Sequence, residues 1–282
     1  MKCIVQLTPS PGLCNPPKKN KFLSVQKFME RLLPKNLHQA SVYWRKLREM
    51  FSLPQLLRYV WACAFHQSLM CVRLRTFPLP IWLRPRSSDI RVAFEIFITR
   101  ELEMPWPLAQ APTTIIDGGA NVGYATLALK HRWPDAFIVA VEPDLDNCIV
   151  LRKNVQSLSN VVLLQKGIWG SQCHLRVKTD PAAAAWSLQF EPVNENTPGS
   201  VGSETVSDLI GRLPGNHCDL LKLDIEGAET NIFSQPDLSW IGQVSVILIE
   251  THGAAARSVV CRAADRFGLK VSQAGEKIML SR

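Results

Sequence analysis

The chain has 282 residues, 46% of them hydrophobic, and a formal net charge of +8, which allows one large domain or one domain with a small appendage. The basicity is local: residues 1–76 carry 13 Lys and Arg against only Glu30 and Glu49, while the rest of the chain carries 19 against 22 acids. A basic catalytic domain is therefore not implied, and eight scattered cysteines with no C-x-x-C pair argue against a zinc site or disulfide framework.

In chain order, residues 1–21 are rich in Pro and Lys and read as a basic tail. Residues 22–86 read as a basic helical extension, with helical spacing from Phe22 to about Leu74 broken at Pro54. Its most apolar stretch, residues 59–71, is interrupted by His66 and Gln67 and is too short to span a bilayer. The start lacks the pattern of a signal peptide, so a cytoplasmic protein, at most peripheral at a membrane, is the expectation. Residues 77–89 read as a proline-punctuated connector, and Ser88 or Asp89 as the cap of a helix running to about Leu102.

From residue 113 the texture alternates between strand and helix. "TTIID" reads as a buried strand, followed by a helix with Tyr124, Leu127, Ala128 and His131 on one face and a stop at Trp133-Pro134. "AFIVAVEP", "NVVLLQKGIW", "CDLLKLDIEG" and "VSVILIETHG" supply further strands, and their continuous apolar runs suit a parallel sheet covered on both faces. Residues 171–206 fit less well and read as an extra hairpin followed by a Gly/Ser/Asn-rich loop. After a helix near 254–267, "LKVSQ" and "KIMLSR" are separated by only "AGE", which leaves room for a hairpin but not for a crossover helix. A dinucleotide-binding oxidoreductase fold does not end this way.

The turn "DGGANVG" is the first chemical signal. Asp117 ends a strand, Gly118 and Gly119 allow a tight turn, Asn121 tolerates positive φ and Gly123 permits close packing. Such a turn presents backbone N–H groups at a helix N-terminus, but its spacing is not the G-x-G-x-x-G of pyrophosphate cofactors. Glu142 ends the next strand, 25 residues after Asp117, followed by Pro143. A carboxylate there can accept from ribose hydroxyls, and Asp117 can accept from an ammonium group, which together suit S-adenosylmethionine.

These segments, in this order and with "LKLDIEGAE" in the fourth strand, resemble the FkbM-type S-adenosylmethionine-dependent methyltransferases over about residues 87–282. The resemblance implies an α/β class I (Rossmann-like) fold, a seven-stranded mostly parallel sheet of order 3-2-1-4-5-7-6 with strand 7 antiparallel. It implies O-methylation of a hydroxyl on a sugar, glycoconjugate or polyketide-like product, and it sets the turn at Lys166 and Gly167 against the adenine. Asp224, Glu226, Glu250 and His252 then lie at the strand ends where ligands bind. His252 or Asp224 is the expected base, His252 having the more suitable ordinary pKa, with Glu226 and Glu250 orienting acceptor hydroxyls. Asp224 and Glu226 are also oxygen ligands suited to Mg²⁺, although no metal is assigned. Glu229 reads as a solvated or capping residue, and Trp186 as packed beneath its loop or stacked on a sugar.

A small-molecule or glycan hydroxyl is the expected acceptor, with anionic membrane or glycan as a contact for the basic N-terminal segment. Nucleic acid is disfavoured because no recognition module accompanies that segment. The alternatives are an RNA or other N-methyltransferase and a non-catalytic S-adenosylmethionine-binding protein. The first lacks the Asn/Asp-Pro-Pro-aromatic run after strand four.

Overall fold

The computed structural model describes residues 37–104, 106–178, 189–274 and 277–282. The expected helix at 22–33 and Trp186 lie outside them. The chain divides into two compact units, Met1–Trp44 and Arg45–Arg282. Helix α1 (Leu37–Met50) starts in the first and continues into the second, where Leu47 and Met50 are buried.

The second unit begins differently from the expected run of helix. Helix α1 gives way to α2 (Leu53–Ala64), with Pro54 in the first turn of α2, where a missing N–H costs nothing. Beyond it Met70–Arg73 (β1) and Pro80–Leu83 (β2) form an antiparallel hairpin. The apolar residues Met70 and Val72 alternate with exposed or half-exposed ones, so a strand period had been hidden inside an apolar run. Hydrogen bonds tie the hairpin to later parts of the chain: the Trp82 N–H donates to Asn154 Oδ1 at 2.7 Å, while the Tyr124 hydroxyl and Asn154 Nδ2 donate to the Trp82 carbonyl at 2.9 and 3.1 Å. Helix α3 (Asp89–Phe97) is shorter than expected, and Arg100 beyond it adopts φ 54°. Neither expected cap acts through its side chain: Ser88 makes no capping bond, and the Asp89 carboxylate is held by the backbone N–H and guanidinium of Arg84.

The central sheet is built from β3 (Thr114–Gly118), β4 (Phe137–Val141), β5 (Val161–Leu164), β10 (Cys218–Leu223), β11 (Val244–Glu250), β12 (Lys270–Ala274) and β13 (Lys277–Ser281). Its order is β12-β13-β11-β10-β3-β4-β5. The strands from β11 to β5 pair in parallel, and β13 runs antiparallel to both neighbours, as the terminal hairpin demanded. With the seven strands numbered in chain order, this is 3-2-1-4-5-7-6 with strand 7 antiparallel. The sheet core explains the apolar runs: Ile115, Ile116, Leu220, Leu221, Leu248 and Ile249 are sealed from solvent.

Helices α4 (Tyr124–Arg132), α5 (Leu145–Val155), α7 (Glu229–Phe233) and α8 (Ala254–Arg266) lie between these strands in the chain. Helix α4 is not the one-faced helix expected: Ala125, Thr126, Leu129 and even Lys130 are buried, and Lys130 is satisfied by donating to the Ala136 carbonyl at 2.6 Å. His131, expected on one face with Tyr124, Leu127 and Ala128, is exposed while Tyr124 and Leu127 are buried.

A second, four-stranded sheet of order β6-β9-β7-β8 joins Gly167–Ile168 (β6), Val201–Glu204 (β9), His174–Val177 (β7) and Phe190–Val193 (β8). The expected hairpin is β7–β8. The stretch read as a loop contains β9 and leads into the short helix α6 (Val206–Ile210), started by a capping box between Thr205 and Asp208.

Candidate active site

The carboxyl ends of β3, β4, β10 and β11 open on one cavity of about 470 Å³, in the size range of small-molecule sites. Its wall includes Gly119, Asn121, Glu142, Pro143, Gly167, Asp224, Glu226, Glu250, Lys222 and Lys277, with Arg91, Glu95 and Glu101 from α3 and the turn after it. Asp117, Gly118, Gly123 and His252 stand behind that wall.

The glycine turn has a different task from the one its sequence suggested. The N–H groups of Gly119 and Ala120 donate to the Val141 carbonyl at 3.0 and 2.9 Å, and that of Asn121 to Glu142 Oε2 at 2.8 Å. These amides are spent inside the protein. What forces glycine is contact with neighbouring elements. A Cβ on Gly119, at φ 70°, would stand 1.7 Å from the Asp224 carbonyl oxygen. One on Gly123, at φ 87°, would stand 2.4 Å from Leu151 Cδ1 of α5. Asn121 takes φ 50°, the left-handed conformation expected of it.

Asp117 is likewise internal. It is fully buried, with Lys222 Nζ 2.9 Å from Oδ1 and the Thr126 hydroxyl 2.6 Å from Oδ2. Its carboxylate is not part of the cavity wall. Burial works to lower the Lys222 pKa, but Asp117 and Asp224 outweigh it and hold the ammonium above the ordinary lysine range. Lys222 also donates towards the carbonyls of Gly118 and Gly119, so it braces the turn from below.

Glu142 is buried yet reaches the cavity. Its Oε1 accepts from the Asp144 N–H at 3.0 Å and from Asn147 Nδ2 at 3.2 Å, and its Oε2 accepts from Asn121. A carboxylate has about four lone-pair sites, so one acceptor position on Oε2 remains for a ligand. Burial lifts its pKa to about 7, against the lowering effect of these bonds. Asp144, not Glu142, caps α5 by accepting from the Asn147 N–H. A chain of contacts continues outward: Arg84 Nη2 donates to Asn147 Oδ1 at 2.7 Å and pairs with Asp89. The segment ahead of the sheet thereby helps to fix the orientation of Glu142.

The second cluster lies across the cavity. Glu226, at φ 47° beyond β10, places Oε2 3.2 Å from His252 Nε2. His252 Nδ1 is 2.7 Å from Oε1 of Glu229, which is buried rather than solvated and also accepts from the Gly227 N–H. The bond to Glu229, with the charge of Glu226, raises the His252 pKa to about 9 despite burial. The ring is therefore held towards its cationic form at neutral pH, which argues against His252, one of the two expected bases with Asp224. Glu226 is also raised: burial, with Asp224 and Glu250 nearby, lifts it to about 7, partly offset by His252.

Lys277, from the terminal hairpin, donates to Glu101 and Glu250. Burial opposes its charge, but Asp224, Glu250 and Glu101 hold it above the ordinary lysine range. Glu250 is thus an ion-pair partner as well as a wall residue. Lys277, Glu101 and Lys222 escaped the sequence reading, in which Glu229 is only a solvated or capping residue. Only Lys222 and Glu229 had a local signal, the LKLD step and the Glu226-x-x-Glu229 spacing. Asp224, Glu226 and His252 each offer one atom, all within 4.8 Å of one another, as a divalent cation would require.

A 3-2-1-4-5-7-6 sheet with a cavity of strand-end acids at its carboxyl edge is the arrangement of class I methyltransferases. The chain belongs to the FkbM methyltransferase family: residues 117–266 match the methyltransferase FkbM domain. It is 26% identical over 204 residues to Methyltransferase 1 of Beauveria bassiana (strain ARSEF 2860), spanning 64% of this chain and 81% of that one. It is 27% identical over 191 residues to Methyltransferase sdnD of Sordaria araneosa, spanning 55% and 74%. Among solved structures, the methyltransferase FkbM from Methylobacillus flagellatus KT aligns at a TM-score of 0.44 and 10% identity, over 86% of this chain and 58% of that one. The SAH-bound Podospora anserina methyltransferase PaMTH1 aligns at 0.38 and 12%, over 88% and 97%.

Proposed function

We propose that the protein moves the methyl group of S-adenosylmethionine to a hydroxyl on a small-molecule or glycan acceptor, with Glu226 taking the hydroxyl proton. The observation that carries this reading is a cavity-facing carboxyl with a pKa of about 7, backed by a cationic imidazole. An alcohol gives up its proton reluctantly, so its methylation needs a base poised near the working pH.

The residues suit the methyl donor. Glu142 keeps one acceptor position for a ribose hydroxyl, Gly167 and Pro143 line the adjoining wall, and the acids around Asp224 favour a sulfonium. Bound S-adenosylmethionine supplies an electrophilic methyl carbon. Glu226 accepts the acceptor proton as the oxygen–carbon bond forms and the carbon–sulfur bond breaks. His252 holds Glu226 in place and lowers its pKa towards the useful range, and Glu229 fixes the imidazole from behind. Arg91, Glu95 and Glu101 also line the cavity and are candidates to contact the acceptor.

The test is transfer of labelled methyl from S-adenosylmethionine into a fractionated extract of the host, followed by acid and alkaline stability of the product. An ether survives both treatments where a methyl ester does not, and mass spectrometry that puts the label on nitrogen, in a product equally stable to both, would refute the O-methyl reading. The donor set of Asp224, Glu226 and His252 supports a second reading, in which a divalent cation lowers the acceptor's pKa. Turnover lost on chelation and restored by Mg²⁺ or Mn²⁺ would select it.

A further inference from the structure

Helix α2, twelve residues long, is apolar on two opposite faces. One face, Leu56, Tyr59, Ala62 and Cys63, packs inward, and the Tyr59 hydroxyl and Cys63 thiol both donate to the Pro85 carbonyl at 3.0 Å. The other carries Leu53, Leu57, Trp61 and, at the C-cap, Phe65, spaced four residues apart. They are 69%, 62%, 51% and 61% exposed. The Trp61 and Phe65 rings touch, with centroids 4.7 Å apart, so the patch is continuous at its end. A surface helix ordinarily turns polar residues outward, and a helix apolar all round is covered on both sides.

The charge of the segment that carries this stripe indicates the cover. Between residues 45 and 75 the exposed ionised side chains are Arg45, Lys46, Arg48, Arg58, Arg73 and Arg75 against the single acid Glu49. A second copy on the same patch would set these cations against their own equivalents, because a two-fold interface brings like surfaces together. An anionic lipid surface meets both demands at once: headgroups pair with the cations while the Leu, Trp and Phe side chains enter the acyl boundary. Tryptophan prefers that boundary. At ~1.5 Å per residue the helix is about 18 Å long, and among the described residues no helix is long and apolar enough to cross a membrane. Helix α2 would lie in the plane of the interface.

We propose that the outer face of α2 docks the protein on an anionic membrane, with Leu53, Leu57, Trp61 and Phe65 inserted and arginines of this basic segment, Arg58 of α2 among them, on the headgroups. The proposal does not depend on which acceptor is methylated.

The experiment is co-sedimentation of the full chain with phosphatidylcholine vesicles, with and without phosphatidylserine. Wild type, an L57S/W61S/F65S variant and an R48S/R58S variant are compared, each checked for an unchanged circular dichroism spectrum and melting temperature. Wild type binds the anionic vesicles and is released by salt. The apolar-face variant binds at least roughly tenfold more weakly, and the arginine variant loses about fivefold per cation removed. Equal binding by the apolar-face variant, or equal binding to neutral vesicles, would overturn the proposal. So would failure of the wild type to bind lipid, or a lipid-independent dimer abolished by L57S/W61S/F65S, which would assign the face to a second copy.

Discussion

The pH dependence of cofactor affinity gives the sharpest access to Glu142. In the free protein its carboxyl titrates at about 7 because burial penalises the anion. A ribose hydroxyl donating to the remaining Oε2 position favours the anion, so binding must expel the proton when the carboxyl carries one. Affinity is then constant well above pH 7 and falls as pH drops below it. At pH 6 about one molecule in ten is already ionised, so the Kd for S-adenosylhomocysteine rises roughly tenfold over its value at pH 8, about 1.4 kcal/mol. Calorimetry at pH 6, 7 and 8, in buffers of different ionisation enthalpy, measures the Kd and counts the released protons together. Glu142→Gln removes the titrating group. It also sets an amide against the N–H of Asp144 or Asn121, both of which now donate to this side chain. Affinity at pH 8 should drop by about 1.5–3 kcal/mol, the worth of a hydrogen bond to a charged group, and the pH slope should vanish. A wild-type Kd that is flat from pH 6 to 8, or a slope that survives in E142Q, would refute this account.

Other perturbations test the rest of the site. Glu226→Gln should lower kcat by about 10²–10⁴-fold while leaving S-adenosylhomocysteine affinity within about twofold, and full turnover in this variant would remove Glu226 as the base. His252→Gln takes away the cation that lowers the Glu226 pKa, so the acidic limb of the kcat/KM profile should move to higher pH; an unmoved limb would show that the imidazole does not tune it. The same variant tests linkage. His252 titrates at about 9 when folded and about 6.5 when unfolded, so its stabilising share is complete below 6.5 and is lost as pH rises through 9. The urea stability gap between wild type and H252Q should shrink between pH 6 and 9.5 by on the order of 3 kcal/mol, and a constant gap would contradict the assignment. Lys222→Met strands the buried Asp117 carboxylate and should cost about 3–5 kcal/mol, read as a fall in Tm of roughly 10 °C. Gly119→Ala should not yield folded protein, because its methyl would overlap the Asp224 carbonyl; a soluble variant with native Tm would refute the packing argument.

The amino-acid sequence by itself determined the sheet. Short runs rich in apolar residues at 114–118, 137–141, 218–223 and 244–249 suit strands buried on both faces, and three residues between the last two strands leave no route except a hairpin. Because ligands gather at the carboxyl ends of such strands, Glu142, Asp224 and Glu250 could be placed at the cavity from their positions alone. The roles of charged groups were decided by tertiary structure. Asp117 and Lys222 are 105 residues apart in the chain, and Lys277 and Glu101 are 176 apart, yet each pair closes in space. Neither periodicity nor a motif reports such a meeting. It is burial among these partners, not residue type, that makes His252 a cation and Glu226 a carboxyl poised near neutrality. A titration depends on the summed field and desolvation at one point, and that point exists only once strands from distant parts of the chain have come together.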